Sequence, residues 1–151
     1  MADFEHLLET HAGIVGKIAR SYARTPDERR DLSQEIVTQL WRAFPRFDAT
    51  RGKFSTWMYR IALNVAISHL RSARVFEPLD VDLPGEAHDD RIPDLYAVIH
   101  TLDPMNRALV VLYLEDRSYA DIGEVLGISE ANVATKLSRL KGQLRAQLKG
   151  A

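Results

Sequence analysis

The sequence predicts an all-α protein: two small helical domains joined by a flexible acidic linker, the second a helix-turn-helix domain. Three observations carry that prediction. Apolar residues recur at three- and four-residue spacing on both sides of the chain's middle, the mark of amphipathic helices. The segment FEPLDVDLPGEAHDDRIP, residues 76–93, holds Pro78, Pro84, Gly85 and Pro93 and has no helical period, so it reads as a connector. Residues 118–148 pair a short helix with a long one across a glycine turn. The domains are therefore placed at 1–74 and 94–151, with the linker at 75–93.

In the first domain, Phe4, Leu7, Leu8, His11, Ile14, Val15, Ile18 and Tyr22 share one stripe and predict one long amphipathic helix. Thr25-Pro26-Asp27 ends it and opens the next, because proline suits a first helical turn and acids favour that end electrostatically. The second helix carries Leu32, Ile36, Val37, Leu40, Trp41 and Phe44 and stops at Pro45. A loop at 46–53 leads to a third helix from Phe54 to about Arg74. Phe54, Trp57, Met58, Ile61 and Val65 line one side of it, and Leu63, Ile67 and Leu70 another. A helix that is apolar on two sides is enclosed by neighbours.

In the second domain, Leu95, Tyr96, Val98, Ile99 and Leu102 form a short helix, and Asp103-Pro104 caps the next. Ser118 caps a helix from Tyr119 to about Val125, with Asp121 as the return partner of a capping box. Gly127 tolerates the positive φ of a tight turn, and Ser129 caps the last helix. There Val133, Leu137, Leu140, Leu144 and Leu148 fall on one stripe that must be buried. The opposite face is Ala131, Ala134, Thr135, Ser138 and Gly142, edged by Arg139 and Arg145. A face this small, flanked by cations, fits a major groove. It also suits a merely solvated helix, and the periodicity alone leaves both readings open.

The net charge of −1 argues at first against a nucleic-acid partner, but the average hides a pattern. Residues 1–74 carry +4, residues 75–93 carry −5 and the rest are neutral. Cations concentrate between Arg46 and Arg74 and again after Ser129. Two basic patches thus flank an acidic tether, which reads either as two nucleic-acid contacts or as ordinary solvated faces. Fully extended, the linker spans roughly 60–70 Å, about 18–20 base pairs of duplex DNA.

Other classes find little support. Without cysteine there is no disulfide framework, thiolate nucleophile or Cys-based zinc site. No apolar run is long enough to span a bilayer, and MADFEHLLETH has acids where a signal peptide has bases, so no membrane insertion and a cytoplasmic location are expected. The five histidines are scattered outside any metal spacing, Gly13 and Gly16 make no phosphate loop, and Asp89-Asp90 lie in the linker. The protein is therefore expected not to be an enzyme, and to need neither cofactor nor metal.

The strings DLSQEIVTQLWRAFPRFD (31–48) and FSTWMYRIALNVAISHLR (54–71) resemble the extracytoplasmic-function group of bacterial sigma factors, the promoter-reading subunits of RNA polymerase. YADIGEVLGISEANVATKLSRLK (119–141) is similar to the DNA-reading helix-turn-helix of the same family. The resemblance spans nearly the whole chain in the family's order. It implies an alternative sigma factor that binds core RNA polymerase, recognises and melts promoter DNA, and is restrained by an anti-sigma partner, in keeping with stress-response regulation.

By the same resemblance, Asp31, Gln34 and Glu35 hold the positions that dock on the polymerase clamp, although by themselves they suit any exposed helix face. Phe47 and Asn64 match the pocket for a flipped base of the minus-ten element, with Ala43 and Ile61 beside them. An unstacked base needs an aromatic or apolar surface and an amide to read its edge; core packing is the competing role for Phe47. Trp57 and Tyr59 match too, and Lys53, Arg60, Arg71 and Arg74 are candidates for phosphate contact. Thr135, Ser138 and Arg139 match the minus-thirty-five readers, Lys136 matches a commonly basic position, and Ala134 stands where the family usually has a base. Leu63, Ser68 and Leu140 also depart from the family's usual residues, which leaves promoter sequence open. Two alternatives stand beside the sigma reading: a stand-alone helix-turn-helix regulator, and a sigma-like decoy that only occupies an anti-sigma partner.

Overall fold

Side-chain caps set the helix starts. In the computed structural model, which describes the backbone of residues 2–76 and 91–150 and the side chains of 4–72 and 95–146, Thr25 accepts the Glu28 N–H at 3.0 Å. Asp103 accepts the Asn106 N–H at 2.8 Å, Ser118 the Asp121 N–H at 3.1 Å and Ser129 the Asn132 N–H at 3.0 Å. Each bond satisfies an amide that the first helical turn leaves without a partner. The helices that follow are α3 (Pro26–Ala43), α6 (Pro104–Leu114), α7 (Tyr119–Leu126) and α8 (Glu130–Gly150). The others are α1 (Ala2–Thr10), α2 (Ala12–Tyr22), α4 (Phe54–Phe76) and α5 (Arg91–Ile99). No strand occurs among the described residues.

The single first helix expected from periodicity is two. The chain breaks at His11, whose Nδ1 turns back to within 2.9 Å of the Leu7 carbonyl oxygen. Gly13 and Gly16 weaken continuous helix there, and the break swings Phe4 inward, 3% exposed, against Trp41 and Phe44. The other limits move little. A 3₁₀ turn, Phe44–Arg46, holds Pro45 after α3. Helix α5 starts at Arg91 rather than after Pro93, because proline is tolerated in a first turn. Linker residues 77–90 and the side chain of Arg74 lie outside the described residues.

Helices α2, α3 and α4 pack together, with Ile18, Leu32, Ile36, Leu40 and Met58 fully buried. Helices α6, α7 and α8 enclose Leu109, Leu112, Ile122, Val133 and Leu137. Each such side chain stabilises by about 1.5–3 kcal/mol relative to exposure. The two halves also meet. Helix α4 packs on α6 and α7, and α2 on α5 and α6, so the buried apolar residues form one continuous cluster. The third helix, apolar on two sides, now has its neighbours: it packs on α2 and α3 and on α6 and α7, and its Tyr59 hydroxyl reaches Glu115 at the end of α6.

The seam between the halves is polar and buried. Arg107, 7% exposed, donates to the carbonyls of Ser21 (3.1 Å), Leu102 (2.8 Å) and His100 (2.7 Å). The Ser21 and His100 oxygens lie at the C-terminal ends of α2 and α5, where helix carbonyls lack partners and the dipole is negative, and the Leu102 oxygen lies in the turn between α5 and α6. Tyr22 Oη donates to the Pro104 carbonyl at 2.7 Å, and burial pushes its phenol pKa up. His100 Nε2 lies 2.9 Å from the Arg20 carbonyl oxygen. Burial, together with nearby Arg107, Arg24 and Arg29, lowers the His100 pKa, so the ring there is a neutral donor.

Candidate nucleic-acid interface

The loop between the 3₁₀ turn and α4 is shaped from within. Asp48 accepts from the Thr50 hydroxyl at 2.6 Å and the Thr50 N–H at 3.0 Å. These bonds, the side-chain one first, hold the Asp48 carboxyl below the usual carboxylate range. Such local bonds fold a loop tightly without a core of its own. Behind it four aromatic rings interlock: Phe47 lies 6.0 Å from Phe44, 5.4 Å from Phe54 and 5.1 Å from Trp57, centroid to centroid. Phe47 is therefore half-buried, part packing and part surface. It lines an open cavity of about 380 Å³ with Arg46, Arg51, Lys53, Trp57 and Arg60, a cationic rim on an aromatic floor.

Asn64 lies elsewhere. It is exposed and lines a second cavity, about 460 Å³, with Glu35, Gln39, Ser68, His69 and Ser72 between α3 and α4. The structure thus does not bring Phe47 and Asn64 into one pocket. Phe47 precedes α4, while Asn64 stands about 15 Å along its axis from Phe54. Ile61 is half-buried on α4, and Lys53 and Arg71 are exposed. Arg60 is exposed too, but its Nη2 donates to the Glu124 main-chain carbonyl of α7 at 2.7 Å. Glu28 and His69, 3.1 Å apart, tie the start of α3 to α4. Burial opposes ionisation of Glu28, but the Arg24 N–H and His69 outweigh it and lower its pKa.

On α3, Asp31, Gln34 and Glu35 are all exposed, and their spacing puts them on one face. On α8, Val133, Leu137 and Leu140 are buried, so Leu140 is a core residue. Thr135, Ser138 and Arg139 are exposed, with Ala134 and Lys136 half-buried at the edges. Gly127 adopts φ +76°, the left-handed turn between α7 and α8. Gly123 does a second job the sequence did not disclose: a Cβ there would meet the Ile128 carbonyl oxygen at 2.6 Å. Lys141 donates to Tyr119 Oη at 3.4 Å and sits 4.5 Å over the Tyr113 ring, tying α8 to α7 and α6.

Two family models match the chain in sequence order: Sigma-70 region 2 over residues 7–75, and Sigma-70, region 4 over residues 93–144. Between them they take in most of the chain, including the aromatic loop, α4 and the helix-turn-helix. The chain belongs to the sigma-70 family. It is 30% identical to the ECF RNA polymerase sigma factor SigE of Mycolicibacterium smegmatis, over 98% of this chain and 62% of that one. It is 29% identical to the ECF RNA polymerase sigma factor SigW of Bacillus subtilis, over 81% of this chain and 76% of that one. This sigma factor thus spans less than two thirds of the SigE relative's length. Its fold matches the sigma factor RpoE from Bartonella quintana, solved in complex with the anti-sigma factor NepR, with a TM-score of 0.80, 19% identity and coverage of 99% and 98%. It also matches CnrH, solved with the cytosolic domain of CnrY, with a TM-score of 0.71, 24% identity and coverage of 97% and 88%.

Sequence reasoning passed over the residues of the seam: Arg107, Glu115 and Glu124. Arg107 left one signal, a lone cation inside the apolar run PMNRALVVLYL. Glu115 receives Lys17 at 2.8 Å and Tyr59 Oη at 3.3 Å, contacts that link three helical segments far apart in the chain. No local pattern reports such a pairing.

Proposed function

We propose that this sigma factor binds core RNA polymerase through the exposed α3 face at Asp31, Gln34 and Glu35 and directs initiation at specific promoters. The loop at 46–53 and α4 take the minus-ten element. Phe47 offers a stacking surface, Asn64 an amide, Ile61 an apolar edge, and Lys53, Arg60 and Arg71 phosphate contacts. Helix α8 enters the major groove of the minus-thirty-five element with Thr135, Ser138 and Arg139, flanked by Ala134 and Lys136. The chain has no chemistry of its own in this reading. Melting is a binding event, in which the open strand is captured by stacking and charge.

The observation that carries the reading is the division of α8. Its apolar stripe is spent on the core, which leaves a small, polar, cation-edged face outward behind the Gly127 turn. The solved neighbours are complexes with the anti-sigma factor NepR and with the cytosolic domain of CnrY, and the first supports an anti-sigma partner here as well. No described helix is long and apolar enough to cross a membrane, in keeping with action in the cytoplasm. Titration of the labelled chain with core polymerase tests the α3 face. Glu35→Lys is expected to weaken the complex at least tenfold, and unchanged affinity would remove α3 from the interface.

A further inference from the structure

Asn64, the amide expected to read an unstacked base, does not line the cavity that Phe47 floors. The cations of that cavity, Arg46, Arg51, Lys53 and Arg60, are hydrogen-bond donors alone. They suit phosphate, which every nucleotide carries whatever its base. Asp48 is different. It is the one acid between Arg46 and Arg74, it adjoins Phe47 in the chain, and it lines the same cavity. An exposed anion inside a cationic rim weakens the hold on DNA by its charge. Loop shape does not require that charge. Both bonds that fold the loop, from the Thr50 hydroxyl at 2.6 Å and the Thr50 N–H at 3.0 Å, end on Oδ1. An asparagine oxygen would serve there as well. What the carboxylate adds is Oδ2, an acceptor that takes no hydrogen bond among the described residues. The same two bonds, the hydroxyl's first, lower the Asp48 pKa and keep the group ionised at neutral pH. The cavity's other acid, Glu124, comes from α7, whereas Asp48 belongs to the loop itself.

Taking residues 46–53 as the minus-ten surface, on which this step rests, we infer that Asp48 is a specificity-determining residue. Its Oδ2 accepts from the exocyclic amine of the base stacked on Phe47 and so selects cytosine or adenine over thymine. Cytosine carries an amine at C4 and adenine one at C6, and a carboxylate pairs with such a donor. Thymine presents a carbonyl oxygen at C4 instead, and two acceptors facing each other repel. Oδ1, held by Thr50, fixes the direction in which Oδ2 points, so one side chain both folds the loop and reads the base.

The test is run-off transcription by the full chain with core polymerase, on promoters varied base by base through the minus-ten element. Wild type is expected to show one position where cytosine or adenine exceeds thymine by about tenfold. Asp48→Asn keeps the oxygen that folds the loop but puts an amide N–H₂ where Oδ2 stood, so the preference there should reverse toward thymine. Asp48→Ala has neither group and should bring the bases level. Thr50→Val loosens the loop without touching Oδ2, and should slow every promoter by a similar factor with the ratios unchanged. The ratio between bases is the readout, because loss of an anion strengthens DNA binding at every sequence alike. Urea midpoints of the two Asp48 variants should stay near that of wild type. If wild type shows no such position, or if Asp48→Asn and Asp48→Ala keep its ratios throughout, the assignment of Asp48 is wrong and the sigma reading stands. If wild type gives no chain-dependent transcript at all, the sigma reading fails and the assignment falls with it.

Discussion

Arg107 reaches from α6 across the seam to the main-chain carbonyl of Ser21 at 3.1 Å, and so closes the C-terminal end of α2 from the other half of the chain. The same guanidinium holds the carbonyls of His100 and Leu102. Only a planar fork of several donors can do this in one place. Arg107→Met leaves those oxygens without their cation and is expected to destabilise the fold by about 2–4 kcal/mol. Arg107→Lys, a single point donor, should recover less than half. Urea unfolding of the three proteins measures both.

His100 gives the seam a pH dependence. Its folded pKa is lowered, so near pH 6 the unfolded chain binds more protons than the folded one. Its contribution is complete above the ordinary value of 6.5 and declines as pH falls from 6.5 to the folded pKa. Below that value both states are protonated and the loss levels off. His100→Gln keeps a donor for the Arg20 carbonyl without titrating. Urea midpoints measured from pH 8 to pH 5 should fall less steeply for the variant than for wild type.

The turn between α7 and α8 separates two glycine effects. Gly127→Ala strains a left-handed residue, at a cost of about 1–2 kcal/mol, but leaves the helices where they are. Gly123→Ala puts a Cβ 2.6 Å from the Ile128 oxygen, so the helices must part, at a cost of about 1–3 kcal/mol. Thermal melts should show both losses. At a temperature where both variants are folded, promoter-dependent transcription should drop for Gly123→Ala only.

Arg139 is exposed on α8, so Arg139→Ala should change stability by less than about 0.5 kcal/mol. It should cost about 1–3 kcal/mol at the promoter position it reads. Transcription from a set of promoters varied base by base in the minus-thirty-five element would show relaxed preference at one position.

Phe47 divides between core and surface. Phe47→Leu retains most of the apolar contact with Phe54 and Trp57 but removes the stacking face. Base–aromatic stacking contributes about 1–3 kcal/mol. Open-complex formation, followed by permanganate reactivity of unpaired thymines, should fall at least fivefold while the urea midpoint changes little.

Much of this was legible in the chain because it is local. Thr25, Asp103, Ser118 and Ser129 announce their helices by side-chain chemistry within three residues, and Gly127 announces its turn. The stripe from Val133 to Leu140 follows from period alone. What escaped is long-range or permissive. The break at His11 depends on Phe4 finding Trp41 and Phe44, which periodicity through Ile14 and Ile18 does not report. The separation of Phe47 from Asn64 is a matter of helix rise, which motif matching ignores. The seam pairs Lys17 with Glu115 and Arg60 with Glu124, groups whose local surroundings suggest only solvent.

The most direct measurement is run-off transcription with purified chain and bacterial core polymerase on a library of genomic fragments, with transcript starts mapped. The account predicts transcripts from a small set of starts that share minus-ten and minus-thirty-five elements. They should need both chain and core, and be lost with Asn64→Ala combined with Arg139→Ala. Absence of any chain-dependent start, alongside tight duplex binding by the chain alone, would contradict it.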